Sequence, residues 1–417
     1  MSYRLLAGLP APTAISLGEH IELHGDVPLP SRADRRAYIA EVERAGLRGR
    51  GGAGFPTSVK LAAVAERRRP MVVVNGVESE PMSSKDRVLL ELVPHLVLDG
   101  AIVAARISGS RDCVIAAPAV THPGLRRAIA ERRELRKGHL QLKLAATAPG
   151  YVAGEETALL SHLEGRGPLP RLTPPRPAER GLRGRPTLVQ NVETLAQLAL
   201  IARHGADWFR SEGSGSRPGT TLVTISGAVQ RPGVYEVPTG IPLPLLLSHA
   251  GGQSEPTRAL LVGGYFGAWV DGTGEGLTLD DDSLRTAGAA GGAGIVVALG
   301  QSSCPVAETA RLAAWLAVQS ARQCGPCVHG LQALADLLIR VASGRAVTGD
   351  RQRLDRWTAM IRGRGACAHP DGATRMIASA ARVFDRELAD HARQGPCSSC
   401  QGIPILSTPS TRTAMAA

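Results

Sequence analysis

The sequence predicts an α/β protein in three parts: a layer with a mostly parallel sheet, a small α+β module, and a helical bundle. Three observations predict it. Helix-period and β-branched segments alternate through the first part of the chain. Two β-rich runs joined by the turn signal QRPG follow the glycine- and serine-rich stretch EGSGSRPGT at 212–220. From Glu308 onward, four helix-period segments follow one another with short connections, the pattern of a bundle.

In the first part, SRADRRAYIAEVERAG (31–46) carries a serine cap, apolar residues at helical spacing and a terminal glycine, so it predicts a helix. It feeds GLRGRGGAGFPTSVKL (46–61), with glycines at 46, 49, 51, 52 and 54. The run PMVVVNGVESEP (70–81) is β-branched and ends in polar residues, as a buried parallel strand does where its carboxyl end opens into a site. RVLLELVPHLVLDGAIVAARISG then predicts a helix and DCVIAAPA a second strand. From about 150 to 195 the chain is polar and loop-rich, and loops this long in a compact domain are functional or disordered. In the second part, TTLVTISG and GVYEVP, a short helix ending in Gly-Gly, and strands at ALLVGGYFGAWV and GIVVAL make up the small module.

Composition sets bounds. The 417 residues suffice for two or three cores. No run of eighteen apolar residues and no export signal occur, which predicts a cytoplasmic protein without membrane insertion. The net charge of +11 is spread along the chain without interleaved aromatics, which argues against nucleic acid and is compatible with docking of an acidic protein, but most simply reflects arginine used as a general surface residue. Of seven cysteines, Cys324, Cys327, Cys367, Cys397 and Cys400 fall in the last hundred residues, a clustering that suggests metal before disulfides.

Several residues carry candidate chemistry. A glycine loop ahead of a helix lets amides converge on a phosphate, with Lys60 adding a point charge. The spacing is neither GxxxxGK[ST] nor a clean GxGxxG, so a turn that merely packs a helix against a sheet stays open. Glu78 and Glu80 are expected to point to one side at the mouth of the first strand, and Glu155 and Glu156 lie in a glycine-containing loop. They could accept hydrogen bonds from a ribose, ribityl or carboxamide group, or be solvated loop charges. Cys324, Cys327 and Cys367 can ligate three irons of a [4Fe–4S] cluster or bind zinc. CSSC at 397–400 could supply a fourth thiolate or a separate redox or metal site, while Cys113 and Cys304 are read as small apolar residues.

From about residue 40 to 393, the motifs GLRGRGGAGFPTSVK, VNGVESEPMSSKDR, GYVAGEETALLSHLEGRGPLPRL, GRPTLVQNVETL, ISGAVQRPGVYEVP and CGPC…CAHP occur in order. In these the chain resembles the NADH-oxidising flavoprotein subunit of respiratory complex I and the related diaphorase subunits of hydrogenases and formate dehydrogenases. The resemblance implies a Rossmann-like flavin domain, a ubiquitin-like β-grasp module of the SLBB type, and a four-helix bundle with an iron–sulfur site. The corresponding spans are an N-terminal extension (1–35), the FMN/NADH domain (36–215), the SLBB module (220–300), the bundle (305–393) and a tail (394–417).

By motif position, the resemblance implies that Gly49, Arg50, Gly51, Gly52 and Lys60 hold the FMN phosphate and ribityl chain. It implies a flavin pocket lined by Asn75, Glu78, Tyr151, Gly154, Glu155, Glu156, Val189, Gln190, Asn191 and Thr194. Phe55 takes the place of an adenine platform for NADH, Glu80 faces the nicotinamide end, and Cys324, Cys327 and Cys367 hold the cluster. Three departures stand out. NGVE carries Val77 where the family has an aspartate, a form closer to the C subunit of Rnf-type complexes. Ala63 and Arg176 replace two adenine-sandwiching aromatics. Ala321 replaces the first cysteine of C-x-x-C-x-x-C, leaving Cys400 or Cys397 as substitutes, an open iron, or a lost cluster.

The reading is an enzyme that moves hydride from NADH to FMN and electrons singly through [4Fe–4S] to a ferredoxin-like, [2Fe–2S] thioredoxin-like or quinone-reductase partner. Its rival is a relay or scaffold subunit that keeps the fold without oxidising NADH. Hydride transfer needs no acid–base residue, so the glutamates are expected to position and tune.

Overall fold

β1 (Met71–Asn75) is the axis of the first part, paired in parallel with β2 (Asp112–Ala117) on one side and β4 (Thr187–Asn191) on the other. With β3 (Gln141–Ala146) beyond β2, the order is β3-β2-β1-β4. The computed structural model describes residues 3–10, 13–31, 33–132 and 140–409, so the outermost residues of the expected extension and tail lie outside the described residues. Val72, Val73 and Val74 of β1 are wholly buried, as a central parallel strand covered on both faces requires. The chain runs outward from β1 through β2 to β3 and then returns to the other side of β1 as β4, so a crevice opens beyond the carboxyl ends of β1 and β4. β4 lies within the stretch expected to be loop-rich. It is five residues long and ends in the polar Gln190 and Asn191, too short a pattern to stand out.

Two helices were expected otherwise. The segment after β1 is not one helix but two, Lys85–Leu92 and Pro94–Ser108, bent by 96°. Pro94 lacks an N–H and keeps Val93 out of helical geometry (φ −128°, ψ 48°). Neither helix is long and apolar enough to cross a membrane. The helix expected from Ser31 starts at Arg35, because the Asp34 carboxylate accepts the Ser31 N–H at 3.0 Å instead of Ser31 capping the helix.

Pro94–Ser108 packs against the long helix Val192–Arg210 through Gly100, where a Cβ would lie 2.0 Å from the Leu195 carbonyl oxygen. Beside this contact the fully buried Asp99 accepts hydrogen bonds from Arg132, Arg203 and His20. Burial would raise Asp99, but the His20 hydrogen bond and the two arginines win and hold it at about 2.

The second sheet has the order β6-β5-β9-β7-β8, built from β5 (Thr220–Gly227), β6 (Gly233–Pro238), β7 (Thr257–Val262), β8 (Ala268–Asp271) and β9 (Ile295–Gly300). β5 runs parallel to β9, and the other pairs are antiparallel. Alternation divides its faces: Leu261 and Val297 join the bundle core, whereas Leu260, Val262 and Val296 join a core shared with the helix Leu243–His249. The N-terminal segment is pinned to this sheet by Glu236, whose buried carboxylate accepts the amides of Arg4, Leu5 and Leu6 at 2.9–3.0 Å.

The bundle comprises Pro305–Val318, Gln332–Ala342, Asp350–Ile361 and His369–Val383. The fourth expected segment breaks at Phe384, whose buried ring packs on Trp269 at 5.2 Å, and continues as Asp385–Gln394.

Removing Asp99 would strand Arg132 and Arg203 uncompensated in the interior, so Asp99→Ala is expected to cost about 3–5 kcal/mol in urea unfolding. The contribution of Asp99 is present above the ordinary carboxylate value of 3.8 and is lost as pH falls toward about 2. Wild-type-like stability of the variant near neutral pH would refute this account.

Candidate active site

The glycine loop is pinched at its base and open at its tip. Gly49 N–H donates to the Phe55 carbonyl and Thr57 N–H to that of Leu47, both at 2.9 Å, which aims the loop at the start of the helix Thr57–Ala65. Arg50 N–H donates to Thr194 Oγ1 at 2.9 Å. The amides of Gly51, Gly52 and Ala53 donate to nothing among the described residues. Gly52 sits at φ 113°, and a Cβ on Gly51 would come within 3.3 Å of Asn191 Cβ. Glycine keeps this wall thin.

Alongside lies a cavity of about 690 Å³ at the carboxyl ends of β1 and β4. Gly49, Gly51, Gly52, Phe55, Lys60, Asn75, Glu80, Tyr151, Gly154, Glu155, Glu156, Val189, Gln190, Asn191 and Thr194 all line it. Lys60 pairs with Glu156 and reaches the Val189 carbonyl at 3.4 Å. Asn75 Nδ2 donates to the Gly154 carbonyl at 2.9 Å. Glu155 and Asn191 are tied up as caps: Glu155 accepts the amides of Thr157 and Ala158, and Asn191 those of Glu193 and Thr194. The Gln190 side chain is buried, and its Nε2 has no partner. An orphaned buried donor, three unused amides and a nearby lysine fit a ligand that brings a phosphate and carbonyl-type acceptors.

Arg50 and Glu78 depart from expectation, for neither lines this cavity. Arg50 turns beneath the loop, where its guanidinium donates to the Pro218 and Thr220 carbonyls and Nε lies 3.9 Å from Glu193. Burial lowers it to about 10 despite Glu193. Glu78 adopts φ 43°, which breaks the period-two alternation, and its carboxylate accepts Ser83 Oγ–H and the amides of Asp86 and Arg87 at 2.6–2.9 Å. It caps the helix Lys85–Leu92.

Beneath the loop, Lys85 Nζ lies 2.8 Å from Asp86 and 3.0 Å from Glu193, both carboxylates being buried. Asn191 Nδ2 donates to Asp86 at 2.6 Å, and Glu193 accepts Thr221 Oγ–H and Leu222 N–H at 3.0 Å. Burial would lower Lys85, but the two carboxylates overcome it and hold the ammonium above its ordinary value. Burial pushes Asp86 up to about 6 against the pull of Lys85.

Glu80 is half-buried at the opposite wall. It accepts the Tyr151 hydroxyl and the Tyr265 amide, the latter at 3.1 Å, and burial raises it to about 7 despite those hydrogen bonds. Sequence reasoning missed the contribution of the other two parts: Gly263, Phe266 and Gly292 from the second sheet and Cys367, His369 and Arg375 from the bundle also line the cavity. The Gly-Gly doublet at 263–264, inside a strand pattern, was the one available signal.

Cys324, Cys327 and Cys367 gather beside this wall: burial first, then the neighbouring Cys324, pushes the Cys327 thiol up to about 12, and burial raises that of Cys367. Three clustered thiols fit three irons of a cubane. Ala321 offers no ligand, while the buried Ser320 hydroxyl lies against the Cys327 thiol. Cys397 and Cys400, the expected substitutes, instead gather with His391 and with Cys304, which is therefore no ordinary apolar filler. Ala63 and Arg176 are both exposed and do not line the cavity.

Comparison with known proteins agrees with this architecture. Residues 42–200 match the Nuo51 FMN-binding domain, 222–264 the SLBB domain, and 307–391 the NADH-ubiquinone oxidoreductase-F iron-sulfur binding region. The chain is 35% identical to an F subunit of NADH-quinone oxidoreductase from Rhizobium meliloti, covering 85% of this chain and 89% of the relative. It is 37% identical to the F subunit of NADH-quinone oxidoreductase from Streptomyces coelicolor, covering 85% and 82%. A chain of the NAD+-reducing [NiFe]-hydrogenase in the H2-reduced state superposes with a TM-score of 0.81 at 30% identity, covering 92% of this chain but 66% of the hydrogenase chain.

Because Glu80 keeps its proton to about 7 when folded but only to about 4.5 when unfolded, its ionisation opposes folding as pH rises through that interval. Glu80→Gln is expected to gain stability relative to the wild type between those pH values. A constant gap in unfolding midpoint across the interval would show that the carboxyl titrates normally.

Proposed function

This chain belongs to the family of NADH-quinone oxidoreductase F subunits, and on that premise we propose how its own residues divide the oxidation of NADH with bound FMN and a [4Fe–4S] centre. One observation carries the reading: a single cavity has the unused amides of Gly51, Gly52 and Ala53 on one wall and Cys367 on another. When bound, FMN accepts the two electrons of a hydride and the cluster carries one at a time.

The chain's residues bind and orient. The loop amides and the N-terminal end of the helix Thr57–Ala65 hold the phosphate, with Lys60 as the counter-charge once Glu156 releases it. Gln190 Nε2 donates to a ring or ribityl oxygen, and Asn75 keeps the Gly154 backbone at the cavity edge. Phe55, at the mouth and 38% exposed, offers a face on which adenine stacks. Glu80, bound to Tyr151, shapes the nicotinamide end without moving protons. Arg50 and Glu78 act one layer out, bracing the loop and a helix. Cys324, Cys327 and Cys367 hold three irons, and the next carrier belongs to a separate partner, a ferredoxin or a [2Fe–2S] thioredoxin-like protein. The excess of 11 positive charges favours an acidic partner. Seven unpaired thiols suit the reducing cytoplasm. The work follows the spans 36–215, 220–300 and 305–393.

Anaerobically purified protein is expected to show a flavin absorbance band that bleaches within seconds of adding NADH. A flavin that stays oxidised would mark the chain as a relay or scaffold component. Phe55→Ala is expected to raise KM for NADH by about 5- to 150-fold, the loss of one base–aromatic stack worth about 1–3 kcal/mol, with flavin content unchanged. An unaltered KM would remove Phe55 from the dinucleotide site.

A further inference from the structure

We propose that Cys304, His391, Cys397 and Cys400 form a mononuclear zinc site, separate from the iron–sulfur cysteines, that fastens the C-terminal segment to the start of the bundle. Their ligand atoms all lie within 4.8 Å of one another. Cys400 Sγ is 3.3 Å from Cys304 Sγ and 3.6 Å from Cys397 Sγ, while His391 Nε2 is 3.5 Å from Cys304 and 3.8 Å from Cys400. Zinc with bonds of about 2.3 Å to sulfur and 2.0–2.1 Å to nitrogen has tetrahedral edges of about 3.8 Å (S···S) and 3.6 Å (S···N). The observed spacings match a set of donors around one shared point.

Rival uses of these thiols fit less well. Ligands of a cubane sit on different irons and stand further apart than donors to one ion. A disulfide requires S–S of about 2.05 Å, and all seven cysteines are free. Four protein donors leave no open position, so the site is structural rather than catalytic. The Ala307 N–H points at Cys304 Sγ at 3.4 Å, a hydrogen bond that steadies a thiolate ligand.

The three chain regions explain what such an ion would do. Cys304 caps the helix Pro305–Val318, His391 lies near the end of Asp385–Gln394, and the C-x-x-C opens the tail. Beyond it, the Ile405 and Leu406 amides donate to Glu308, Arg311 donates to the Leu406 carbonyl, and Trp315 Nε1 donates to the Pro409 carbonyl at 2.9 Å. The Tyr265 hydroxyl donates to the Ser407 carbonyl. Zinc would tie the near end of this strap, and the hydrogen bonds its far end.

The test is metal analysis of the full chain purified anaerobically, and it does not depend on the redox reading. About one zinc per chain is expected, in addition to iron. Cys397→Ser/Cys400→Ser should lose the zinc, keep iron and flavin, and become more open to limited proteolysis within 397–409. Cys397→Ser alone, at an exposed position, guards against a folding failure and should weaken zinc retention against a chelator. Cobalt(II) in place of zinc should give tetrahedral ligand-field and thiolate charge-transfer bands. Four outcomes would overturn the proposal: wild-type protein without zinc, a Cys397–Cys400 disulfide in its place, iron in place of the zinc, or loss of cluster iron together with zinc in the double variant.

Discussion

The charge network beneath the glycine loop is the constraint on which the site depends. Lys85 sits between Asp86 and Glu193 with all three buried, and breaking one member would leave an unpaired charge in low dielectric. Each partner is also committed elsewhere. Asp86 takes the Asn191 amide, Glu193 takes the start of β5, and Arg50 spans from the loop to the carbonyls of Pro218 and Thr220. The loop therefore cannot shift without disturbing the first helix after β1, the end of β4 and the second sheet together. That rigidity lets Gly51, Gly52 and Ala53 hold their amides open to solvent instead of collapsing onto one another.

A second junction does the same work on the far wall. Glu80 comes from the first part, Tyr265 from the second, and the Tyr151 amide donates to Gln319 of the bundle at 3.0 Å. Tyr151 also stacks edge-on against Phe266 at 4.7 Å and Trp315 at 5.4 Å. All three parts meet around Tyr151 and the half-buried carboxyl it binds, which its surroundings keep neutral more readily than a fully exposed one. The cavity is thus an interface between parts, which is why its walls include residues that no single motif carries.

The sequence made the fold class legible because each part has its own period: β-branched runs for the parallel strands, a turn-flanked pair for the second sheet, helical spacing for the bundle. β4 and the kink at Pro94 were less legible, the first for its shortness and the second because apolar periodicity runs straight through the proline. At the site, the glycine loop and the strand ends pointed to the cavity through local chemistry. Glu78 and Arg50 did not follow, since a positive φ and a buried ion partner depend on tertiary context. Gly263 and Phe266 were invisible for the same reason: only the folded structure brings the connection between β7 and β8 to the cavity.

The cysteines separate by geometry in a way that spacing could not reveal. Cys324 and Cys327 and the pair Cys397 and Cys400 share the C-x-x-C pattern, yet the first pair borders the cavity wall with Cys367 and the second meets Cys304 from the opposite end of the bundle. A thiol beside an electron-transfer cavity is useful for iron; four donors closing on one point leave no room for a substrate and serve cohesion. The strap they anchor returns to Tyr265, whose amide holds Glu80. Order in the last described residues is thereby linked, through one tyrosine, to the carboxyl that closes the far wall of the cavity.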